Sequence, residues 1–101
     1  MNLWKIKIMS YELKYLEEFL RRKNKIIKNN FVLFSRIEST LKILKTNPFY
    51  RSLQTHKITK SFGTCYSSRV MGDLRILWIF KENKYIFLLT VGGHSGKGKA
   101  Y

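Results

Sequence analysis

Residues 64–91, TCYSSRVMGDLRILWIFKENKYIFLLTV, decide the fold of this chain. Residues 64–71, 74–81 and 85–91 are rich in the β-branched and aromatic side chains that favour strands. Turn-forming residues separate these segments, with Gly72 and Asp73 after the first and residues 81–84 after the second. Strands joined by such short turns indicate an antiparallel meander.

The residues before this meander show one strand pattern and two helix patterns. Residues 3–9 alternate in period two, which predicts an opening strand with one wet face. Ser10 is a suitable N-cap for a helix to about residue 23, and a second helix fits residues 31–45, after which Asn47 and Pro48 end the apolar pattern. A further short strand is expected from His56. This order predicts an α+β fold in which an N-terminal strand and two helices pack on one face of a twisted, mostly antiparallel sheet.

The length and charge of the chain limit the classes of partner. With 101 residues and 45% hydrophobic residues, residues 1–101 are expected to form a single domain. Twenty Lys and Arg against six acids give a formal net charge of +14. So much charge of one sign points to a polyanion such as RNA, with an anionic membrane surface or an acidic protein as alternatives.

Several classes of protein are disfavoured by what the sequence lacks. With Cys65 as its one cysteine the chain cannot form an internal disulfide, and it shows no signal peptide and no apolar run long enough to span a bilayer, so we expect a cytoplasmic location without membrane attachment. Two separated histidines, and only Asp73 and Glu82 as acids after residue 48, argue against a metal site or a bound cofactor. Any catalysis would then use His, Arg, Lys, Tyr and one acid, a set that suits metal-free attack on a phosphodiester.

The strand parity predicts which side chains share a face of the sheet. A two-residue loop at Glu82 and Asn83 would place Arg75 opposite Thr90. The face with Arg75 would then carry Leu77, Ile79, Ile86, Leu88, Thr90, Gly92 and His94, and the face toward the helices Leu74, Ile76, Trp78, Phe80, Tyr85, Phe87, Leu89 and Val91.

The position of Arg69 depends on the preceding turn. A two-residue loop at Gly72 and Asp73 would put Arg69 opposite Ile76, on the helix side. A three-residue loop that includes Met71, with Gly72 in the left-handed region, puts Arg69 directly opposite Arg75, and we favour this arrangement. Two arginines facing each other repel unless an anion lies between them.

The second half of the chain resembles the RelE/ParE superfamily of bacterial toxins, especially the RelE-type mRNA interferases of the YafQ kind. The residues that carry the resemblance are His56, Lys57 and Ile58, the segments YSSRV (66–70) and GDLRILW (72–78), the apolar strand 85–91 followed by Gly92, Gly93, His94 and Ser95, and a terminal aromatic. The resemblance implies the toxin of a type II toxin–antitoxin system, an endoribonuclease that cleaves mRNA in the ribosomal A site. It also implies attack by the RNA 2′-OH on the adjacent phosphate without metal, and a cognate antitoxin as partner.

The resemblance also assigns roles to individual residues. Arg75 matches the arginine that stabilises the phosphorane, His94 the general acid, and His56 a candidate general base, while Tyr101 matches an aromatic that stacks on or orients a base. The residues expected to bind RNA around them are Arg69, Asp73, Lys57, Lys97 and Lys99. The interval between His94 and Tyr101 is longer than in the relatives, and Arg69 stands where they have a histidine.

Other interpretations of the same residues remain open at this point. His94 could be a surface histidine, His56 could cap the start of a strand, and Arg75 could pair with Asp73 or Glu82. At the level of function, the alternatives are a ParE-like toxin that inhibits DNA gyrase without nuclease chemistry, and a degenerate module that binds RNA or an antitoxin without cutting. Arg75 together with His94 favours cleavage.

Overall fold

The computed structural model describes residues 10–93, and in them two helices pack on a five-stranded mixed sheet. The elements are β1 (Glu12–Tyr15), α1 (Glu17–Ile27), α2 (Phe31–Thr46), a 3-10 turn (Arg51–Leu53), β2 (His56–Lys60), β3 (Gly63–Met71), β4 (Leu74–Lys81) and β5 (Tyr85–Gly92). The strand order is β1-β5-β4-β3-β2, with β1 parallel to β5 and the other neighbours antiparallel. The predicted α+β class, with helices on one face of a mostly antiparallel sheet, is confirmed.

The core lies between the helices and one face of the sheet. Its buried residues are Phe19 from α1, Ile37, Leu41 and Leu44 from α2, Leu53 from the 3-10 turn, and Ile76, Trp78, Ile86, Leu88 and Val91 from β4 and β5. Each fully buried large apolar side chain contributes about 1.5–3 kcal/mol relative to an exposed one. Phe34, which shares the predicted apolar stripe of α2, is 40% exposed and stands apart from this core.

Helix α2 follows its sequence signals closely. The side chain of Asn30 accepts a hydrogen bond from the backbone N–H of Leu33 at 3.1 Å, which satisfies one of the free donors of the first turn. At the other end the N–H of Asn47 donates to the carbonyl of Ile43, and Pro48 cannot continue the helix. The prediction of a helix over residues 31–45 is therefore confirmed.

The first helix begins later than predicted. Residues 12–15 form strand β1, and α1 starts after Leu16, so that Ser10 caps no helix. Pairing with β5 supplies the backbone partners, because the N–H of Glu12 donates to the carbonyl of Lys84 and that of Leu16 to the carbonyl of Leu88. Sheet pairing here overrides the helical pattern. The strand predicted for residues 3–9 lies outside the described residues.

Helices long and apolar enough to cross a bilayer are not found in residues 10–93.

Candidate active site

The turn between β3 and β4 sets the position of Arg69. Met71 pairs with Leu74 across Gly72 and Asp73, and the register then shifts at Val70, so that Arg69 lies directly opposite Arg75. Gly72 has a φ of 54°, in the left-handed region that a residue without Cβ adopts at little cost. The turn is shorter than the predicted three-residue loop, but the bulge makes up the difference. The predicted facing of the two arginines is confirmed.

The register between β4 and β5 differs from the prediction. The loop has three residues, 82–84, with Glu82 and Asn83 at φ values of 57° and 52°, and Phe80 pairs with Ile86. A second irregularity follows, since Trp78 pairs with Leu88 but Leu77 pairs with Thr90. Leu89 is thus an extra residue in β5, and Arg75 lies opposite Gly92 rather than Thr90.

The longer loop reverses the faces of the first half of β5. Ile86 and Leu88 point to the helices and are fully buried in the core, whereas Tyr85 and Phe87 lie on the other face, so the prediction for these four was wrong. Beyond the extra residue the parity changes back, and Thr90 shares the face of Arg75 as predicted. We call this face, opposite the helices, the arginine face; it carries His56, Ser67, Arg69, Arg75, Leu77 and Thr90.

Two polar groups on the arginine face are buried without a hydrogen-bond partner among residues 10–93. They are Nη1 of Arg75 and the hydroxyl of Thr90, a residue that is 6% exposed and lies diagonally across from Arg75. Arg69, by contrast, donates from Nε to the carbonyl of Gly72 at 3.0 Å. Within the described residues Arg75 forms no ion pair with a carboxylate, so the alternative of a salt bridge to Asp73 or Glu82 is not observed. A buried cationic donor of this kind is costly until an anion satisfies it.

His56 begins strand β2 on the same face. It lies opposite Ser67, which is two residues along β3 from Arg69, and its imidazole is exposed. Its Nδ1 lies 3.2 Å from the carbonyl oxygen of Gln54, so this nitrogen carries the proton and donates it. The neutral ring then keeps its lone pair on Nε2, which is the form that can accept a proton. From the strand spacing, the Cα atoms of His56 and Arg75 are about 12 Å apart, a gap that two long side chains and a nucleotide can fill.

The remaining predicted residues fall in three places. Lys57 lies on the helix side of the sheet, with Nζ 5.8 Å from the centre of the Tyr66 ring, and is therefore separated from the arginines. Asp73 is exposed at the tip of the β3–β4 hairpin. Four predicted site residues, His94, Lys97, Lys99 and Tyr101, lie outside the described residues.

Cys65 also lies on the arginine face, opposite Ile58. Burial raises the pKa of its thiol, and nearby Lys60 offsets this only in part. The thiolate is the nucleophilic form, so a buried thiol with a raised pKa is a poor nucleophile. Clusters of three or more His, Cys, Asp or Glu side chains that could hold a metal ion are not found within residues 10–93.

Two contributions to this site were missed from the sequence, namely the carbonyls of Gln54 and Gly72 that orient His56 and Arg69. The hydroxyl of Thr90, which was predicted on the face of Arg75 without a role, adds an unsatisfied donor beside that arginine. Gln54 has a φ of 46°, and left-handed residues other than glycine leave little trace in a sequence. The sequence does single out Thr90, because apart from Tyr85 it is the one polar residue in the apolar run 85–91.

The fold was compared with known proteins. No protein-family model and no curated protein matches the chain. Among solved structures it is similar to YafQ from E. coli strain BL21(DE3), with a TM-score of 0.66 and 14% identity over 82% of this chain and 92% of that one. It is also similar to the YoeB/ParE toxin from Agrobacterium tumefaciens, with a TM-score of 0.68 and 10% identity over 83% and 99% of the two chains. A third match is the E. coli DinJ-YafQ toxin-antitoxin complex, with a TM-score of 0.66 and 13% identity over 84% and 93%. The chain therefore has the fold of the RelE/ParE toxins, as its sequence resemblance predicted.

Proposed function

We propose that this chain is the toxin of a type II toxin–antitoxin system and acts as an endoribonuclease on mRNA, on the ribosome in the cytoplasm. The observation that carries the proposal is the facing pair Arg69 and Arg75, with Nη1 of Arg75 buried and unsatisfied by residues 10–93. A pair of like charges with a spare charged donor is suited to an anion, and the phosphodiester of RNA is the anion that a chain of net charge +14 attracts.

The two arginines would stabilise the charge that develops during cleavage. When the 2′-oxygen attacks phosphorus, negative charge builds up on the non-bridging oxygens of the phosphorane. Arg75 offers its donor from a position fixed by the strand, and Arg69 adds a second positive charge across the sheet. Donors fixed in advance and shielded from water stabilise such charge far more than donors in bulk water.

His56 would act as the base. Its Nε2 accepts the 2′-hydroxyl proton as the new bond from O2′ to phosphorus forms, while the Gln54 carbonyl holds the Nδ1 proton. The bond from phosphorus to the 5′-oxygen then breaks and leaves a 2′,3′-cyclic phosphate.

The remaining roles rest on the sequence. The departing 5′-oxygen needs a proton, which we assign to His94, two residues after the Gly92 that lies opposite Arg75. Tyr101 would stack on a base, and Lys97 and Lys99 would contact the RNA backbone. Acid, base and stabilising cations are then all protein side chains, so the reaction needs no metal.

A cognate antitoxin is the second proposed partner. The fold is similar to that of the DinJ-YafQ toxin-antitoxin complex, and the charge of +14 would favour an acidic, amphipathic segment. Such a segment would cover basic surface that otherwise contacts RNA.

Primer extension on mRNA from cells that express each variant tests the proposal. We expect cleavage by the wild type and a loss of about 100-fold or more in Arg75→Ala, the usual effect of removing one donor to a developing oxyanion. Arg51→Ala, which removes an exposed side chain of the 3-10 turn, is the matched control and should cleave like the wild type. The same assay on purified mRNA with and without ribosomes determines whether the ribosome is required.

Three results would contradict parts of the proposal. Equal cleavage by Arg75→Ala and wild type would remove the arginine from the reaction. Equal cleavage by His94→Ala would remove the assigned acid and leave the rest standing. Absence of cleavage by every variant, with altered DNA supercoiling, would favour a ParE-like inhibitor of gyrase.

A further inference from the structure

A chain of three hydrogen bonds, the first buried and the other two half-buried, runs beneath β2 on the helix side of the sheet. Trp78 Nε1 lies 2.8 Å from Ser68 Oγ, Ser68 Oγ lies 2.6 Å from Thr55 Oγ1, and Thr55 Oγ1 lies 2.7 Å from the carbonyl oxygen of Pro48. We propose that Thr55 and Ser68 are positioning residues for His56, fixing the start of β2 so that the imidazole keeps its Nε2 free. This inference rests on the proposed function, in which His56 is the base.

The direction of every bond in the chain is determined. The indole N–H of Trp78 can only donate and the carbonyl of Pro48 can only accept. Thr55 therefore donates to Pro48, and Ser68, which accepts from Trp78, donates to Thr55. Each hydroxyl gives one hydrogen bond and receives one, so neither can rotate without breaking a bond.

The surroundings make this chain costly to break. Ser68 and Trp78 are fully buried, and the Trp78 ring is stacked on Tyr66 at 4.7 Å and meets Phe80 edge-on at 4.8 Å. Water has little access to such a site, so a hydroxyl that loses its partner there stays unsatisfied. The chain consequently holds the backbone at residue 55 in one place relative to β3 and β4.

Thr55 transmits this constraint to the arginine face. Successive side chains of a strand point to opposite faces, so Thr55 points into the hydrogen-bond chain while His56 points to the arginines. On the other side of Thr55, the left-handed conformation of Gln54 aims its carbonyl at Nδ1 of His56. Because Thr55 is held by its hydrogen bonds and the Gln54 carbonyl by the backbone conformation, the imidazole of His56 is fixed in its tautomer and in its orientation toward Arg69.

The test combines the tautomer of His56 with the kinetics of cleavage. Long-range proton–nitrogen NMR spectra report which ring nitrogen carries the proton, and a His94→Gln background leaves His56 as the single histidine of the chain. We expect the Nδ1–H form in the wild type and a shift toward the mixture of a free imidazole in Thr55→Val. We expect kcat to fall about tenfold in Thr55→Val with KM unchanged, the size of loss that is usual when a residue that orients a functional side chain is removed.

Two variants separate positioning from general stability. Thr55→Ser keeps the hydroxyl and should restore the wild-type tautomer and kcat. Thr59→Val is the matched control on the same strand, because the hydroxyl of Thr59 contacts only that of Thr64 at 3.4 Å on the exposed surface. It should leave tautomer and kcat unchanged. Should Thr55→Val fail to fold, Thr55→Ala takes its place with the same expectations.

The outcomes distinguish this inference from the function on which it rests. The positioning role is overturned if Thr55→Val keeps the wild-type tautomer of His56. It is also overturned if Thr59→Val loses as much of the Nδ1–H form as Thr55→Val does. Both conclusions hold whatever the cleavage rates. Absence of RNA cleavage by the wild type overturns the proposed function instead. The tautomer measurement then still shows whether Thr55 positions His56.

Discussion

Replacing Arg75 by Gln is expected to make the free protein more stable while it abolishes most of the cleavage. In the folded state Arg75 lies directly opposite Arg69, and its Nη1 is buried without a partner among residues 10–93. Gln keeps a side chain of similar shape and removes the charge. Stability and activity should therefore change in opposite directions.

The magnitude follows from the geometry of the pair. Directly opposed Cβ atoms are about 5 Å apart, and two like charges at about 6 Å repel by roughly 0.7 kcal/mol in water and about 3 kcal/mol at an effective dielectric constant of 20. The unsatisfied donor adds about 1 kcal/mol or more, and the lost methylene removes about 0.8 kcal/mol of burial. With the repulsion in water these terms leave a net gain of about 1 kcal/mol in the free energy of unfolding, which raises the Tm by roughly 4–8 °C in a domain of this size.

Thermal and urea unfolding of the isolated protein at low ionic strength measure this gain. Arg51→Gln, the same substitution at an exposed site, should change the free energy of unfolding by less than about 0.5 kcal/mol. Salt should reduce the difference between Arg75→Gln and wild type, because it screens the repulsion. If Arg75→Gln is less stable than Arg51→Gln by about 1 kcal/mol or more, Arg75 has a favourable partner and the argument for an anion site fails.

Further predictions test the register, the turn and the thiol. Leu88→Ala should lower the free energy of unfolding by about 2–5 kcal/mol, because Leu88 is fully buried. Leu89→Ala should lower it by about 1 kcal/mol, because Leu89 is the extra residue of β5 and is half-buried. Equal losses would contradict the register. Gly72→Ala should cost about 1–2 kcal/mol in thermal unfolding through its φ of 54° alone, because no atom lies within 4 Å of the added Cβ, and an unchanged Tm would mean that the turn differs. Burial raises the pKa of the Cys65 thiol, so the reactive thiolate forms only at a pH above the usual range for thiols. Cys65 should therefore react with iodoacetamide more slowly than a free thiol near neutral pH. Rapid labelling near neutral pH would show that the thiol is exposed.

The β3–β4 hairpin could be predicted because its turn residues carry a physical constraint. Gly72 marks a left-handed position, and the choice between two registers is then a choice between Arg69 beside the core and Arg69 beside Arg75. A charged side chain placed toward a helix-covered face is the more costly choice. The residues of the turn and the cost of burying a charge were together sufficient to predict that Arg69 faces Arg75.

The β4–β5 hairpin could not be predicted in the same way. Its loop and its extra residue involve Glu82, Asn83 and Leu89, and nothing in the pattern of the strand shows which leucine of the pair 88–89 is the extra one. Where both faces of a strand are apolar, alternation carries no information about register. The two errors, one in the loop and one in the strand, cancel beyond Leu89, so the predicted face of Thr90 was right although its partner was not.

Strand β1 shows the limit of short patterns. Residues 12–15 are compatible with a helical stripe and with a strand, because four residues span barely one helical turn and two strand repeats. The deciding factor is the edge of β5, which lies more than seventy residues away and offers backbone partners to Glu12 and Leu16. Pairing over such a distance is absent from any local window of the sequence.

The extra residue in β5 has a consequence for the site as a whole. If Leu89 were instead paired with Leu77, the register of the loop end would continue, pairing Ile76 with Thr90 and Arg75 with Val91. A threonine would then enter the core and a valine would lie against the arginine. Because Leu89 is left out of the pairing, Val91 completes the core, and Thr90 lies on the arginine face beside Gly92, which has no side chain opposite Arg75. The bulge thus lets one strand supply apolar side chains to the core and both a donor and open space to the proposed anion site beside Arg75.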